Sequence, residues 1–120
     1  MIDFVSTPIS DTTIVVQVSG SMTETNRTYF FDCIADMIDS GAEHVIIECY
    51  KLGFINSSGL ASLLTARKRA IKKGCRISLT HLNSNITDVL ELTKLGRILS
   101  VYPTTEAAIL ATAGQPTCVG

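Results

Sequence analysis

The chain has 120 residues, of which 46% are hydrophobic and 18% charged, and its formal net charge is −1. A chain of this length buries roughly two-thirds of the surface that it exposes when unfolded, so one hydrophobic core is expected without disulfides or metals. The composition excludes a disordered or collagen-like chain. The balanced charge argues against direct nucleic-acid binding, which favours strongly basic domains.

The apolar runs are all far shorter than the roughly 20 residues of a membrane-spanning helix. The first basic residue is Arg27, whereas a secretory signal begins with basic residues. We therefore expect a cytoplasmic protein without a membrane span.

Metal and catalytic motifs are not evident in the sequence. The cysteines at positions 33, 49, 75 and 118 lack the short paired spacing of zinc sites and disulfide-exchange motifs. Neither His44 nor His81 has a neighbouring serine or cysteine that would suggest a nucleophile and base pair. We therefore predict no metal, no cofactor and no catalytic residues.

Hydrophobic periodicity predicts strands that alternate with helices after an initial β-hairpin. Residues 4–7 and 12–18 are rich in β-branched side chains and flank a turn, and apolar repeats over 26–40 predict a helix that Gly41 ends. A strand at 44–49, a loop at 50–56 and a helix from about Ser58 to Gly74 follow. The remaining predicted elements are a strand at 76–80, a helix at 85–94 capped by Asn83 or Ser84 and ended by Gly96, a strand at 98–102, and a helix that starts at 103–106 and ends near 113.

The order β-β-α-β-α-β-α-β-α predicts a single-domain α/β fold with a mixed, mostly parallel sheet. We expect the domain to span residues 1–113 and a flexible tail to span 114–120. Function is expected where loops leave the carboxyl ends of strands and enter helices, and the loops at 20–26 and 51–58 stand out.

The second loop ends in the run Asn56-Ser57-Ser58-Gly59-Leu60. Either serine is predicted to be the N-cap of the helix, which places the other beside the positive end of the helix dipole. A phosphate there would direct about −1.5 to −2 charges at free backbone amides, a favourable arrangement. The alternative is a plain helix cap, which the spacing alone favours.

The run resembles the signature of the STAS domain (sulfate transporter and anti-sigma-factor antagonist), commonly written Asp-Ser-Ser/Thr-Gly-Leu and followed by an aliphatic helix. The resemblance covers about residues 1–111 and includes the turn at Gly20, the strand at 45–47 and the segment 88–96. It implies a STAS-like fold and a regulatory protein-binding module rather than an enzyme.

In anti-sigma-factor antagonists of this family, the serine after the Asp is phosphorylated by a partner that is both a serine kinase and the anti-sigma factor. The resemblance therefore implies that Ser57 is the phosphate acceptor, and that Thr23, Asn56, Ser58 and Gly59 form the switch loop. It also implies two partners, an ATP-dependent anti-sigma-factor kinase and a PP2C-type phosphatase. A homodimer is left open.

Two positions depart from the family pattern. Asn56 stands where the family has Asp, and Thr23 stands where an acid is common. Neutral side chains neither take a proton nor hold a cation as carboxylates do, although a phosphate on Ser57 meets less repulsion beside Asn than beside Asp. These departures favour a second interpretation, in which the protein is a non-catalytic STAS scaffold or accessory subunit that is not regulated by phosphorylation. It would then belong to a stressosome-like assembly or to a lipid transporter. A small enzyme is a third alternative, for which the sequence offers no substrate.

Overall fold

The structure, a computed structural model, describes residues 2–95 and 98–112. The predicted α/β order of elements is confirmed. The predicted helix end at Gly96 and the predicted tail at 114–120 lie outside the described residues. The elements are β1 (Ile2–Pro8), β2 (Thr13–Met22), α1 (Arg27–Asp39), β3 (His44–Ile55), α2 (Ser57–Lys73), β4 (Arg76–Thr80), α3 (Ser84–Thr93), β5 (Ser100–Tyr102) and α4 (Thr105–Thr112).

The strands form one sheet in the order β1-β2-β3-β4-β5. β1 pairs antiparallel with β2, and every later pair is parallel. From β2 to β5, strands that follow one another in sequence are neighbours in the sheet, and one helix connects each pair. Because such crossovers are right-handed, α1, α2 and α3 lie on one face of the sheet.

A single apolar cluster holds these three helices against the sheet. Val16 and Val18 alternate along β2 and therefore point to the same face, where they belong to one buried cluster with Phe30 of α1 and Leu63 of α2. Ile46 of β3 is fully buried but lies outside this cluster. Its side chain belongs to the opposite face, against which α4 packs.

Hydroxyl groups fasten α4 to that opposite face. Thr105, at the start of α4, donates a hydrogen bond from its hydroxyl to the carboxylate of Glu48 on β3. The same hydroxyl lies 3.4 Å from that of Thr80 on β4. Thr80 and Thr105 are buried, so their hydroxyl groups satisfy one another where water has little access.

The predicted loop at 50–56 is wrong over residues 50–55, which continue β3 to Ile55. β2 likewise extends past the predicted end at 18, and Met22 at its tip pairs with Ile55. The ends of the two strands, residues 18–22 of β2 and 49–55 of β3, form a two-stranded ribbon. β3 carries one extra residue at each of two register shifts in this ribbon. Such bulges break the alternation by which a strand is identified in sequence. The ribbon extends beyond Thr80, where β4 ends. It therefore places the turn between β3 and α2 beyond the carboxyl end of β4.

The later element ends agree more closely with prediction. Gly74 ends α2 in the left-handed conformation, with φ of 75°. Asn83, one of the two predicted caps, accepts a hydrogen bond from the backbone N–H of Ile86 and caps α3. β5 is shorter than the predicted strand at 98–102.

Candidate functional site

Asn56 connects β3 to α2 and is the N-cap of α2. Its Oδ1 accepts the backbone N–H of Gly59 at 3.1 Å. The prediction that Ser57 or Ser58 caps the helix is therefore wrong. Asn is among the best N-cap residues because its short side chain reaches the free N–H groups of the first turn. Both serines consequently lie inside the helix.

Ser57 is the first residue of α2 and is exposed, whereas Ser58 is half-buried. Within the described residues the Ser57 hydroxyl makes no hydrogen bond. The first turn of α2 contains no acidic residue. The hydroxyl therefore stands at the positive end of the helix dipole and is accessible to a second protein.

Gly59 brings α2 unusually close to the end of β2. A β-carbon at this position would lie 2.5 Å from the carbonyl oxygen of Met22 and 2.8 Å from Cγ1 of Ile55. Both distances are far shorter than a normal van der Waals contact. Only glycine fits here, so the third residue of the helix is seated directly on the sheet.

The turn after β2 contacts the N-cap. The backbone N–H of Asn56 donates to the carbonyl of Met22 at 3.2 Å, and Nδ2 of Asn56 donates to Oε2 of Glu24 at 2.6 Å. The two predicted loops therefore adjoin. Thr23 is half-buried in the same turn, where its carbonyl accepts the backbone N–H of Asn26 at 3.0 Å.

Glu24 is a site residue that the sequence argument missed. Position 23, where an acid is common in the family, is a neutral threonine, but the next residue supplies a carboxylate that reaches the N-cap. A hydrogen bond from its own backbone N–H lowers the pKa of Glu24, and the Asn56 amide and the charge of Arg27 lower it further. The site thus holds one ionised carboxylate at neutral pH.

Two open clefts lie near the connection between β3 and α2, one along α2 and one beside the end of β3. A groove of about 210 Å³ lies between α1 and α2, where the Ser62 hydroxyl donates to the carbonyl of Arg27 at 3.3 Å. A cleft of about 250 Å³ lies between the end of β3 and the start of α3, beside Phe54, whose side chain is 52% exposed. The groove is lined by Arg27, Thr28, Phe31, Ala61, Ser62 and Thr65, and the cleft by Gly53, Phe54, Ile55, Asn85, Ile86, Asp88 and Val89.

The histidines take structural positions. His44 is buried at the start of β3, and its Nε2 lies 2.7 Å from the hydroxyl of Ser78, which is also buried. Burial, followed by the charge of Arg76, lowers the pKa of His44 to about 4. His81 packs edge-on against Tyr50, with 5.7 Å between ring centroids.

A search of residues 2–95 and 98–112 finds no cluster of three or more His, Cys, Asp or Glu side chains that could hold a metal ion. Over the same residues, none of the helices is both long enough and apolar enough to cross a membrane.

Solved structures share this architecture. An anti-sigma-factor antagonist from Mycobacterium paratuberculosis has 21% identity and a TM-score of 0.81, over 92% of this chain and 93% of that one. A STAS-domain anti-sigma-factor antagonist from Planctomyces limnophilus has 20% identity and a TM-score of 0.77, over 92% and 98% of the two chains. The Bacillus cell-fate determinant SpoIIAA in its phosphorylated form has 20% identity and a TM-score of 0.69, over 92% and 99%.

At these identities the similarity shows the fold alone. The sequence itself matches the model of the STAS domain family over residues 4–108. That range extends from β1 into α4 and includes the Asn56–Gly59 turn. The protein therefore belongs to the STAS domain family, and its fold is that of the anti-sigma-factor antagonists in this family.

Proposed function

We propose that this protein is a cytoplasmic regulatory binding module of the anti-sigma-factor-antagonist type, which a partner anti-sigma-factor kinase switches by phosphorylating Ser57. The observation that carries the proposal is the exposed, unbonded hydroxyl of Ser57 on the first residue of α2. The existence of a phosphorylated form of SpoIIAA, a protein of similar fold, supports a modified state in this architecture.

Phosphorylation would act on the partner interface rather than on the fold. A phosphate adds about −1.5 to −2 charges. The amides at the start of α2 favour this charge, while the ionised Glu24 opposes it. A partner that packs over the helix start meets the full charge, and each 1.4 kcal/mol or so of lost binding weakens its affinity tenfold.

In this proposal the unphosphorylated form binds the kinase and so frees a sigma factor. The phosphorylated form leaves the kinase, and a PP2C-type phosphatase restores the serine. The groove along α2 and the cleft beside the end of β3, with the exposed ring of Phe54, offer apolar surface for the kinase.

The described residues include one hydrogen bond between a serine and a histidine, and its burial supports binding rather than catalysis. Ser78 and His44 are 0% and 6% exposed, so this pair has no access to a substrate. A catalytic serine needs a base within hydrogen-bond reach on an accessible surface. Ser57 has the surface position without such a base.

One observation favours a second candidate, a scaffold or accessory subunit that is not phosphorylated. Both polar groups of the Asn56 side chain are engaged in holding the turn, through Gly59 and Glu24. Asn56 therefore has a structural role at the position where the family motif has an acid. A scaffold would keep this surface rigid and bind its partner in one state.

Incubation with ATP and the partner anti-sigma-factor kinase that this proposal requires separates the two candidates. Intact mass should rise by one phosphate, peptide mapping should place it on Ser57, and Ser57→Ala should abolish the gain while Ser58→Ala retains it. Kinase binding should persist in Ser57→Ala and be lost in Ser57→Asp. A phosphate on another residue, or equal binding by the two variants, would contradict the switch.

A further inference from the structure

The outer edge of β1 is the longer of the two sheet edges in the described structure. β1 pairs with β2 along all seven of its residues and has no strand on its other side, whereas β5 at the opposite edge has three residues. Alternate backbone N–H and C=O groups along the outer edge point away from β2. These groups can pair with a further strand.

Two of the devices that prevent such pairing, lysines and bulges, are missing from β1 as the structure describes it. Protected edges carry lysines, bulges or covering segments. The β1–β2 pairing is regular from Ile2 to Pro8, without a register shift, and the strand contains no lysine. Pro8 interrupts hydrogen bonding only at its last position. Val5, at the middle of the strand, is 59% exposed.

The strand is held in place from the α1 side. The ring of Phe4 packs against Tyr29 and Phe30 of α1, with centroid distances of 5.2 and 5.7 Å. Because successive residues of a strand point to opposite faces, Val5 points away from α1. The edge is therefore ordered before any partner arrives, which lowers the entropy lost on pairing.

We propose that β1 pairs antiparallel with β1 of a second copy of this chain, with Val5 on the two-fold axis. This register uses all seven residues of the strand. It sets Val5 against Val5, and it sets Asp3, the only charged residue of β1, against Thr7 rather than against another Asp3. Like charges directly opposite destabilise a sheet, and this register places no two charges opposite each other.

Sedimentation equilibrium of the full chain, up to about 1 mM, tests the interface. We expect a reversible dimer that Val5→Lys weakens at least about tenfold, because two ammonium groups would meet on the axis. The control is Leu92→Lys on α3, at a side chain that is 84% exposed, which should leave the dimer constant within about twofold. A monomer at every concentration, or equal weakening by both variants, overturns the proposal.

Cysteine cross-linking tests the register independently of affinity. In a Cys118→Ser background, Val5→Cys should form an intermolecular disulfide in oxidised glutathione, because the two α-carbons would be about 5 Å apart. Thr7→Cys should not, because the two copies of residue 7 would lie about 13 Å apart along the strands. Comparable cross-linking at both positions, or none at position 5, overturns the register. Circular dichroism confirms that each variant is folded.

Discussion

The carbonyl oxygen of Met22 lies within 2.5 Å of the place that a β-carbon would occupy at Gly59. The nearest atom belongs to the backbone and cannot turn aside as a side chain can, so α2 must shift if any other residue stands there. We expect Gly59→Ala to lower the free energy of unfolding by about 1–3 kcal/mol, the usual cost of overpacking. Urea denaturation measures this change.

The matched control is Gly53→Ala, six residues earlier in β3. A β-carbon there would meet only the carbonyl oxygen of Gly20, at an ordinary contact distance of 3.8 Å. Its unfolding free energy should stay within about 0.5 kcal/mol of the parent chain. Equal losses in the two variants would contradict the seating of α2 on β2.

The N-cap gives a second prediction. Asn56→Ala removes the acceptor for the N–H of Gly59 and should cost about 0.5–2 kcal/mol. Asn56→Asp keeps that acceptor but sets a second carboxylate beside Glu24. The pair then favours protonation of one acid, so this variant should gain stability relative to the parent chain as the pH falls from about 7 to 4.

Glu24→Gln in the Asn56→Asp background provides the control for that effect. The amide can donate to the new carboxylate, so the pH-dependent difference from the parent should vanish. Thermal denaturation at several pH values follows all three variants. A pH-dependent difference that persists without Glu24 would show that its carboxylate is not the source.

A third prediction concerns the role of Ser57 in stability, as distinct from its proposed role as a phosphate acceptor. Ser57 is exposed and its hydroxyl bonds to no described residue, so Ser57→Ala should change the unfolding free energy by less than about 0.5 kcal/mol. Ser57→Asp adds a charge that the start of α2 favours by about 0.3–1 kcal/mol. Chemical denaturation of both variants tests this, and a large loss in either would mean that the serine has a structural role.

His44 gives a pH prediction. Its pKa is lowered from the ordinary value of 6.5 to about 4, so the unfolded chain takes up a proton more readily than the folded chain. The stability that the neutral ring supports is complete above pH 6.5 and is lost as the pH falls from 6.5 to 4. Allowing for solvent access, the loss should reach about 2–3 kcal/mol.

Urea denaturation at pH 7 and pH 4.5 measures that loss. His44→Gln has no titrating group at this position but keeps a polar side chain beside Ser78. Its stability should fall less between the two pH values than that of the parent chain. An identical fall in both proteins would assign the acid sensitivity to other groups.

The hydroxyl of Thr105, which attaches α4 to the sheet, gives a fifth prediction. Thr105→Val removes a hydroxyl that bonds to Glu48 and neighbours Thr80 in a buried setting, and should cost about 1–3 kcal/mol. Thr65→Val is the control, because its hydroxyl bonds only to the carbonyl of Ala61 on an exposed helix face. That change should stay within about 0.5 kcal/mol. Similar losses in both would contradict this attachment.

Most of the fold is readable from the sequence because the core elements are regular. The apolar repeat of α1 and the short apolar run that begins β3 carry the periodicities of a helix and of a buried strand. The ribbon at residues 50–55 is not readable in this way. There Leu52 and Ile55 are buried three residues apart, since bulges replace the two-residue alternation.

The motif also indicates where the site lies but not how it is built. The proximity of Asn56 to the turn after β2 follows from the parallel pairing of β2 and β3. The residue that contacts the Asn56 amide does not follow from this pairing. Thr23 and Glu24 are consecutive residues after β2, and only the path of the backbone decides which side chain reaches the amide. The choice of Asn56 over the serines as the cap likewise depends on where Gly59 meets Met22.

The bulged extension of β2 and β3 also sets how far Ser57 stands from the central strands. β4 stops opposite Glu48, so the last seven residues of β3 pair with no strand other than β2. Inserting two residues in each strand of this overhang would move the serine outward by about 7 Å and leave the central strands untouched. The position of Ser57 relative to the rest of the molecule can therefore change without any change in the central strands.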